Sequence, residues 1–161
     1  MGGEGGGPTM APGWWGRALD DLRAARILLE DGAAAPWVVA YHAQQSVEKG
    51  IKAYLVAHGV SAADRSFRVH EIDDLRTLVS EHDRSLAESL SDADPLGDFA
   101  VEARYPPMAP GVEDVGRDEA RKALETAGQA MDVLHKHLSR TLSGLPAPPS
   151  TPTGGDGRSR S

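Results

Sequence analysis

The sequence predicts an all-α protein, an up-and-down bundle of four to five helices, on three observations. Apolar residues recur at three- and four-residue steps from about Trp14 to Leu142. No window alternates with the two-residue period of a half-buried strand, and no fixed-period repeat is present. Glycine and proline punctuate this stretch between the periodic segments and then crowd the two ends, a pattern of helices joined by short or medium connections.

The first helix is expected from about Trp14 to Glu30, with Trp14, Ala18, Leu22, Ala25 and Leu29 on one stripe and Gly32 as its C-terminal cap. Pro36 suits the first turn of the second helix, which runs to about His58, with Gly59 as its stop signal. Gln45, Glu48, Lys49 and Lys52 form a narrow polar stripe on this helix, and most other positions are apolar or small. A helix so apolar around its circumference is expected at the centre of the bundle.

A third helix is expected from about Glu71 to His82, and residues 85–90 continue it after a break. Asp94 and Pro95 read as cap and first position of a fourth helix ending near Arg104, where two prolines forbid continuation. The last helix is expected over about Gly116 to Leu142, with Ala120, Leu124, Ala127, Met131, Leu134 and Leu138 inward. Residues 1–13 (MGGEGGGPTMAPG) and 143–161 have little to bury and read as disordered tails around a domain at 14–142.

Composition excludes several chemistries. The chain has 161 residues and no cysteine, so disulfides, thiolate zinc sites and a cysteine nucleophile are ruled out. Its formal charge of −7 argues against broad attraction to nucleic acid or anionic lipid. No run approaches the roughly 18 apolar residues of a membrane span, so no membrane association is expected. The N-terminal stretch lacks the basic and apolar regions of a secretory signal, and a cytoplasmic location is the expectation.

No Glu-x-x-His pair exists to build a di-metal bundle site. His135 and His137 are two apart and diverge on a helix, so no metal or cofactor is expected. Near a helix C-terminus their cations would instead interact favourably with the dipole.

The polar stripe admits two readings. Glu48 and Lys52 stand in the stabilising i,i+4 order, so it reads either as a solvated face with one ion pair or as one wall of a ligand cleft. In the second reading Gln44, Gln45, Glu48, Lys49 and Lys52 bind a phosphate or base edge, with His42 one turn earlier. His42 reads equally well as a hydrogen-bonded core histidine. Arg104 offers a fork-shaped cation for phosphate or carboxylate. The structural alternative pairs Arg104 with Glu102 or an acid of the second helix and packs Tyr105 into the core.

The stretch Ala40-Tyr41-His42-Ala43-Gln44-Gln45-Ser46-Val47-Glu48-Lys49-Gly50-Ile51-Lys52-Ala53 resembles the second-helix motif of HEPN domains. His70 with Leu75 and Leu78, and Ala100-Val101-Glu102-Ala103-Arg104-Tyr105-Pro106, resemble two further segments of that family in the same order. The resemblance covers about Trp14 to Leu142. It implies a HEPN-like helical bundle that forms a homodimer and works with an MNT-type nucleotidyltransferase in a toxin–antitoxin system. It also implies a nucleotide or RNA ligand, for which the residues read above, His42, Gln45, Glu48, Lys49, Lys52, Arg104 and Tyr105, are the candidate site.

Some members of the family are metal-independent ribonucleases, with an arginine followed by a histidine after four to six residues. Arginine stabilises phosphate charge, and histidine moves protons while the 2′-hydroxyl attacks. Arg65 with His70 and Arg76 with His82 match that spacing. Arg104 holds the more natural position but has no histidine five to seven residues later. The sequence therefore leaves three readings: a binding module with a nucleotidyltransferase partner, a ribonuclease using Arg65, Arg104 and His70, and a structural dimerisation or adaptor bundle.

Overall fold

A computed structural model of the chain describes residues 10–61, 71–100 and 105–150. Its elements are α1 (Ala11–Glu30), α2 (Pro36–Ala57), α3 (Ile72–Ser80), α4 (Arg84–Ser89), a 3₁₀ segment (Ser91–Ala100) and α5 (Arg117–Leu138). No strand occurs among the described residues. The all-α bundle expected from periodicity is the fold observed.

α2 packs against α1 and α5 and also touches α3 and the 3₁₀ segment, so it is central. Its burial is unbroken from Gly50 to Ala57 and is interrupted between Val39 and Glu48 only at Tyr41, His42 and Gln45. Trp15, Leu19 and Leu22 of α1 meet Val47, Ile51 and Leu55 of α2 in one core with Leu75 of α3, Leu86 of α4 and Met131, Leu134 and Leu138 of α5. Each fully buried large side chain removes enough apolar surface from water to contribute about 1.5–3 kcal/mol.

Small residues set the spacing. Gly50 lies so close to α5 that a Cβ placed on it would stand 2.7 Å from Met131 Sδ and 3.1 Å from Leu134 Cδ1. Buried Ala43 and Ala53 of α2 and Ala120 and Ala127 of α5 likewise present little bulk at the packed faces.

The helix ends show which local signals operated. Pro36 occupies the first turn of α2 as expected. At its other end Gly59 adopts φ +89°, Val60 N donates to Leu55 O at 3.0 Å, and Gly59 N donates to Val56 O at 3.1 Å. That is a Schellman closure, which needs the left-handed conformation glycine adopts freely.

Gly32 does not play the corresponding part. α1 ends at Glu30 and is capped by Asp31, whose carboxylate accepts from Ala33 N at 3.0 Å, and Gly32 is not among the positive-φ glycines. An aspartate bonding to the backbone two residues on makes the turn without a left-handed residue.

The fourth helix expected from Pro95 is instead the 3₁₀ segment, which starts at Ser91 and contains Pro95. The Asp94 carboxylate is used elsewhere: both oxygens accept from Arg76, at 2.8 Å and 2.7 Å. Arg76 also donates to Ala87 O at 3.3 Å, tying α3, α4 and the 3₁₀ segment together. After α5 the chain turns back on the bundle. Trp15 Nε1 donates to Pro146 O at 2.9 Å, His135 Nε2 lies 3.1 Å from Leu145 O, and Leu142 and Leu145 pack against the core.

Candidate functional site

The polar residues of α2 divide into two clusters, because a 22-residue helix with four neighbours has little solvated face. Gln44, Glu48 and Lys52 follow at four-residue steps and are buried. Lys52 Nζ donates to Glu48 Oε1 at 2.8 Å, and Gln44 Nε2 donates to Glu48 Oε2 at 2.9 Å. Gln45 Nε2 donates to Gln44 Oε1 at 2.6 Å and reaches Glu48 Oε2 at 3.4 Å. Trp14 of α1 covers the ammonium, with Lys52 Nζ 5.9 Å from its ring centroid. A cation at that distance over an indole face is attracted by the ring quadrupole.

The solvated-stripe reading is therefore wrong for Glu48 and Lys52. Their side chains are 5% and 4% exposed, so this is a buried ion pair with its lone pairs and protons engaged by neighbours. Among the described residues no buried side-chain nitrogen or oxygen lacks a partner.

The second cluster lies on the seam with α1. Asp21 presents one oxygen to His42 Nδ1 at 2.9 Å and the other to Lys49 Nζ at 2.5 Å. His42 and Lys49 are seven residues apart, two turns of one helix face, and a single carboxylate spans them. His42 and Lys49 keep 30% and 28% of their side-chain surface, so this cluster is open to a ligand while the Glu48–Lys52 pair is enclosed. His42 is thus hydrogen-bonded, as one reading had it, but stands at the rim of the fold rather than in its core.

Sequence reasoning missed both contributions of α1. Trp14 was assigned only to the apolar stripe. Asp21 carried a usable signal, since it stands three residues after Ala18 and four before Ala25, on the stripe that α1 turns inward. Also missed was a corner of the bundle where Tyr54 stacks on His58 at 4.1 Å, His58 faces His82 at 5.8 Å, and Asp83 lies 3.3 Å from His137. Burial, and secondarily the Asp83 charge, pushes the Tyr54 hydroxyl above its ordinary pKa. Among the described residues no group of three or more histidines and carboxylates is placed to hold a metal.

Arg65, His70 and Arg104 lie outside the described residues. Tyr105 is described and is 59% exposed, so it is not packed into the core. It lines a groove with Phe99, Met108 and Val112, and no residue of α2 contributes to that groove.

The sequence pattern of the HEPN domain covers residues 11–138. This chain belongs to the HEPN domain family. The HEPN match extends from the first residue of α1 to the last of α5, so it takes in every element of the bundle. The chain is also 30% identical over 134 residues to "Putative toxin MJ1304" of Methanocaldococcus jannaschii, an alignment covering 76% of this chain and 84% of that protein. No solved structure gave a significant match. Among the described residues no helix of this HEPN protein is long and apolar enough to cross a membrane.

Proposed function

We propose that this HEPN protein is the toxin-type member of a pair, a homodimeric cytoplasmic module that binds a nucleotide or RNA-like ligand and works with a nucleotidyltransferase. The relative named as a toxin supports the toxin-type part of this reading. The observation that carries the binding part is the Asp21–His42–Lys49 cluster, which presents two partly open nitrogen-bearing side chains beside Gln45. An ammonium and an imidazole held on one carboxylate are pre-oriented for an anionic group, and the neighbouring amide can read a base edge. The enclosed Glu48–Lys52 pair acts as the support of that surface. Removing two charges from water is costly, and such pairs are poor stabilisers compared with apolar packing.

The ribonuclease alternative rests on Arg65, His70 and Arg104. The other pair at the same spacing is already employed, because Arg76 is bonded to Asp94 and Ala87, and His82 faces His58. That favours the binding reading over Arg76–His82 catalysis.

Calorimetric titration of the full chain with ATP and with a short single-stranded RNA tests the proposal. Binding that weakens at least tenfold in Lys49→Ala, with the fold unchanged by circular dichroism, is the expected result. No heat with either ligand, or equal affinity in the variant, overturns the assigned surface. Co-expression with the nucleotidyltransferase encoded beside it, if there is one, tests the pairing by co-purification.

A further inference from the structure

A groove away from α2 is built on different residues. Between the 3₁₀ segment and the start of α5 it encloses about 690 Å³. Phe99, Tyr105, Met108 and Val112 supply its apolar wall, and Met108 and Val112 are 88% and 57% exposed. Large apolar side chains held this far into water on one loop mark an interaction surface rather than a scatter of single exposures. Pro106 and Pro107 also line the groove, and proline restricts the backbone of the loop that carries Tyr105 and Met108.

Among the described residues its rim carries one sign of charge. Asp98, Glu113, Asp114 and Glu119 line the groove, all four are exposed, and among the described residues no lysine, arginine or histidine lines it. We infer that this groove docks a basic segment with one apolar face, belonging to a partner protein. Apolar side chains of the segment would fill the space beside Met108 and Val112 while its lysines or arginines meet the carboxylates. Methionine suits such a surface because its flexible thioether adapts to varied shapes.

Charge decides between occupants. RNA and nucleotides are repelled by four carboxylates at close range. A second copy of a chain carrying −7 adds further negative charge. A basic partner is drawn to the same rim, which raises its association rate and disfavours acidic competitors. The inference does not depend on the α2 surface proposed to bind ligand, and the two fail separately.

The test uses the full chain and a fluorescent peptide of leucine and lysine in helical spacing, with a peptide carrying glutamate for lysine and a short RNA as comparisons. The lysine peptide is expected to bind, with affinity falling as salt rises. Met108→Ser with Val112→Ser should weaken it at least tenfold, and Glu113→Gln with Asp114→Asn should weaken it and flatten the salt dependence. Asp20→Asn with Glu30→Gln, exposed acids of α1, and Lys49→Ala should leave it unchanged. All these positions are open to solvent or partly so, and thermal melts should confirm that each variant folds. No binding, equal loss from the α1 substitutions, preference for RNA or the acidic peptide, or indifference to the groove substitutions would overturn the inference.

Discussion

Lys52 and Glu48 form an ion pair of 2.8 Å inside the bundle, one turn apart on the most enclosed helix of the fold. Truncating one partner leaves the other charge in a site built for two, with Gln44 and Gln45 still oriented toward it. Lys52→Ala is expected to destabilise the protein by about 3 kcal/mol. Lys52→Met combined with Glu48→Gln removes both charges and should cost clearly less than the single change. Urea denaturation of the three proteins measures this, and a double variant as unstable as Lys52→Ala would show that the charge is not what matters.

Gly50 allows α2 and α5 to approach, and a β-branched side chain there must displace Met131 and Leu134. Gly50→Val is expected to cost about 2–3 kcal/mol through overpacking. Gly50→Ala should cost less, since the thioether end of Met131 can shift and alanine favours helix by about 1 kcal/mol over glycine. A Val variant with an unchanged denaturation midpoint would contradict the close packing of these two helices.

Asp83 caps α4 by accepting from Leu86 N at 2.9 Å. That backbone hydrogen bond, with His137 nearby as a lesser cause, holds its pKa below the ordinary aspartate value of 3.8. A carboxyl depressed in the folded state stabilises it above the unfolded pKa, and this contribution disappears as pH falls through the folded pKa. Asp83→Ala should lose about 1 kcal/mol at neutral pH. Asp83→Asn keeps a capping oxygen and should be near wild type at pH 7 while losing stability less steeply below pH about 4. Thermal melts from pH 3 to 7 would expose the opposite pattern.

Arg76 grips Asp94 with two nitrogens and Ala87 with a third, and the Asp94 hydrogen bond is the main reason its pKa is raised. Lysine carries the charge without the fork. Arg76→Lys is therefore expected to cost about 1–2 kcal/mol, and Asp94→Asn a similar amount. If the cycle of single and double variants shows no coupling, this clasp does not hold α3 to the 3₁₀ segment.

Much of the fold could be read from local pattern. The stripes of α1, α2 and α5 have a 3.6-residue period, and Pro36 and Gly59 mark the limits of α2 by their own backbone restrictions. The 3₁₀ segment was harder, because Asp94-Pro95 is a legitimate helix start. What cancelled it was the use of Asp94 by Arg76, 18 residues away, which no local window contains. Gly32 failed as a cap for a local reason: its neighbour Asp31 closes the turn through its side chain.

The candidate site was legible as a list of residue types and not as an arrangement. Gln45, Glu48, Lys49 and Lys52 do share an arc of one helix, and from sequence they are equivalent. The neighbours of α2 make them unequal. α1 brings Asp21 to Lys49 and His42 and brings Trp14 over Lys52.

By itself, then, the sequence determined that the chain is helical, where most helices lie, and which helix holds the family's glutamine, glutamate and lysine register. Those properties follow from near-neighbour geometry along one chain. Only tertiary structure decided that one lysine is enclosed and another open, and that Tyr105 faces a separate acidic-rimmed groove. Burial and charge pairing depend on which surfaces meet, and residues distant in sequence supply those surfaces.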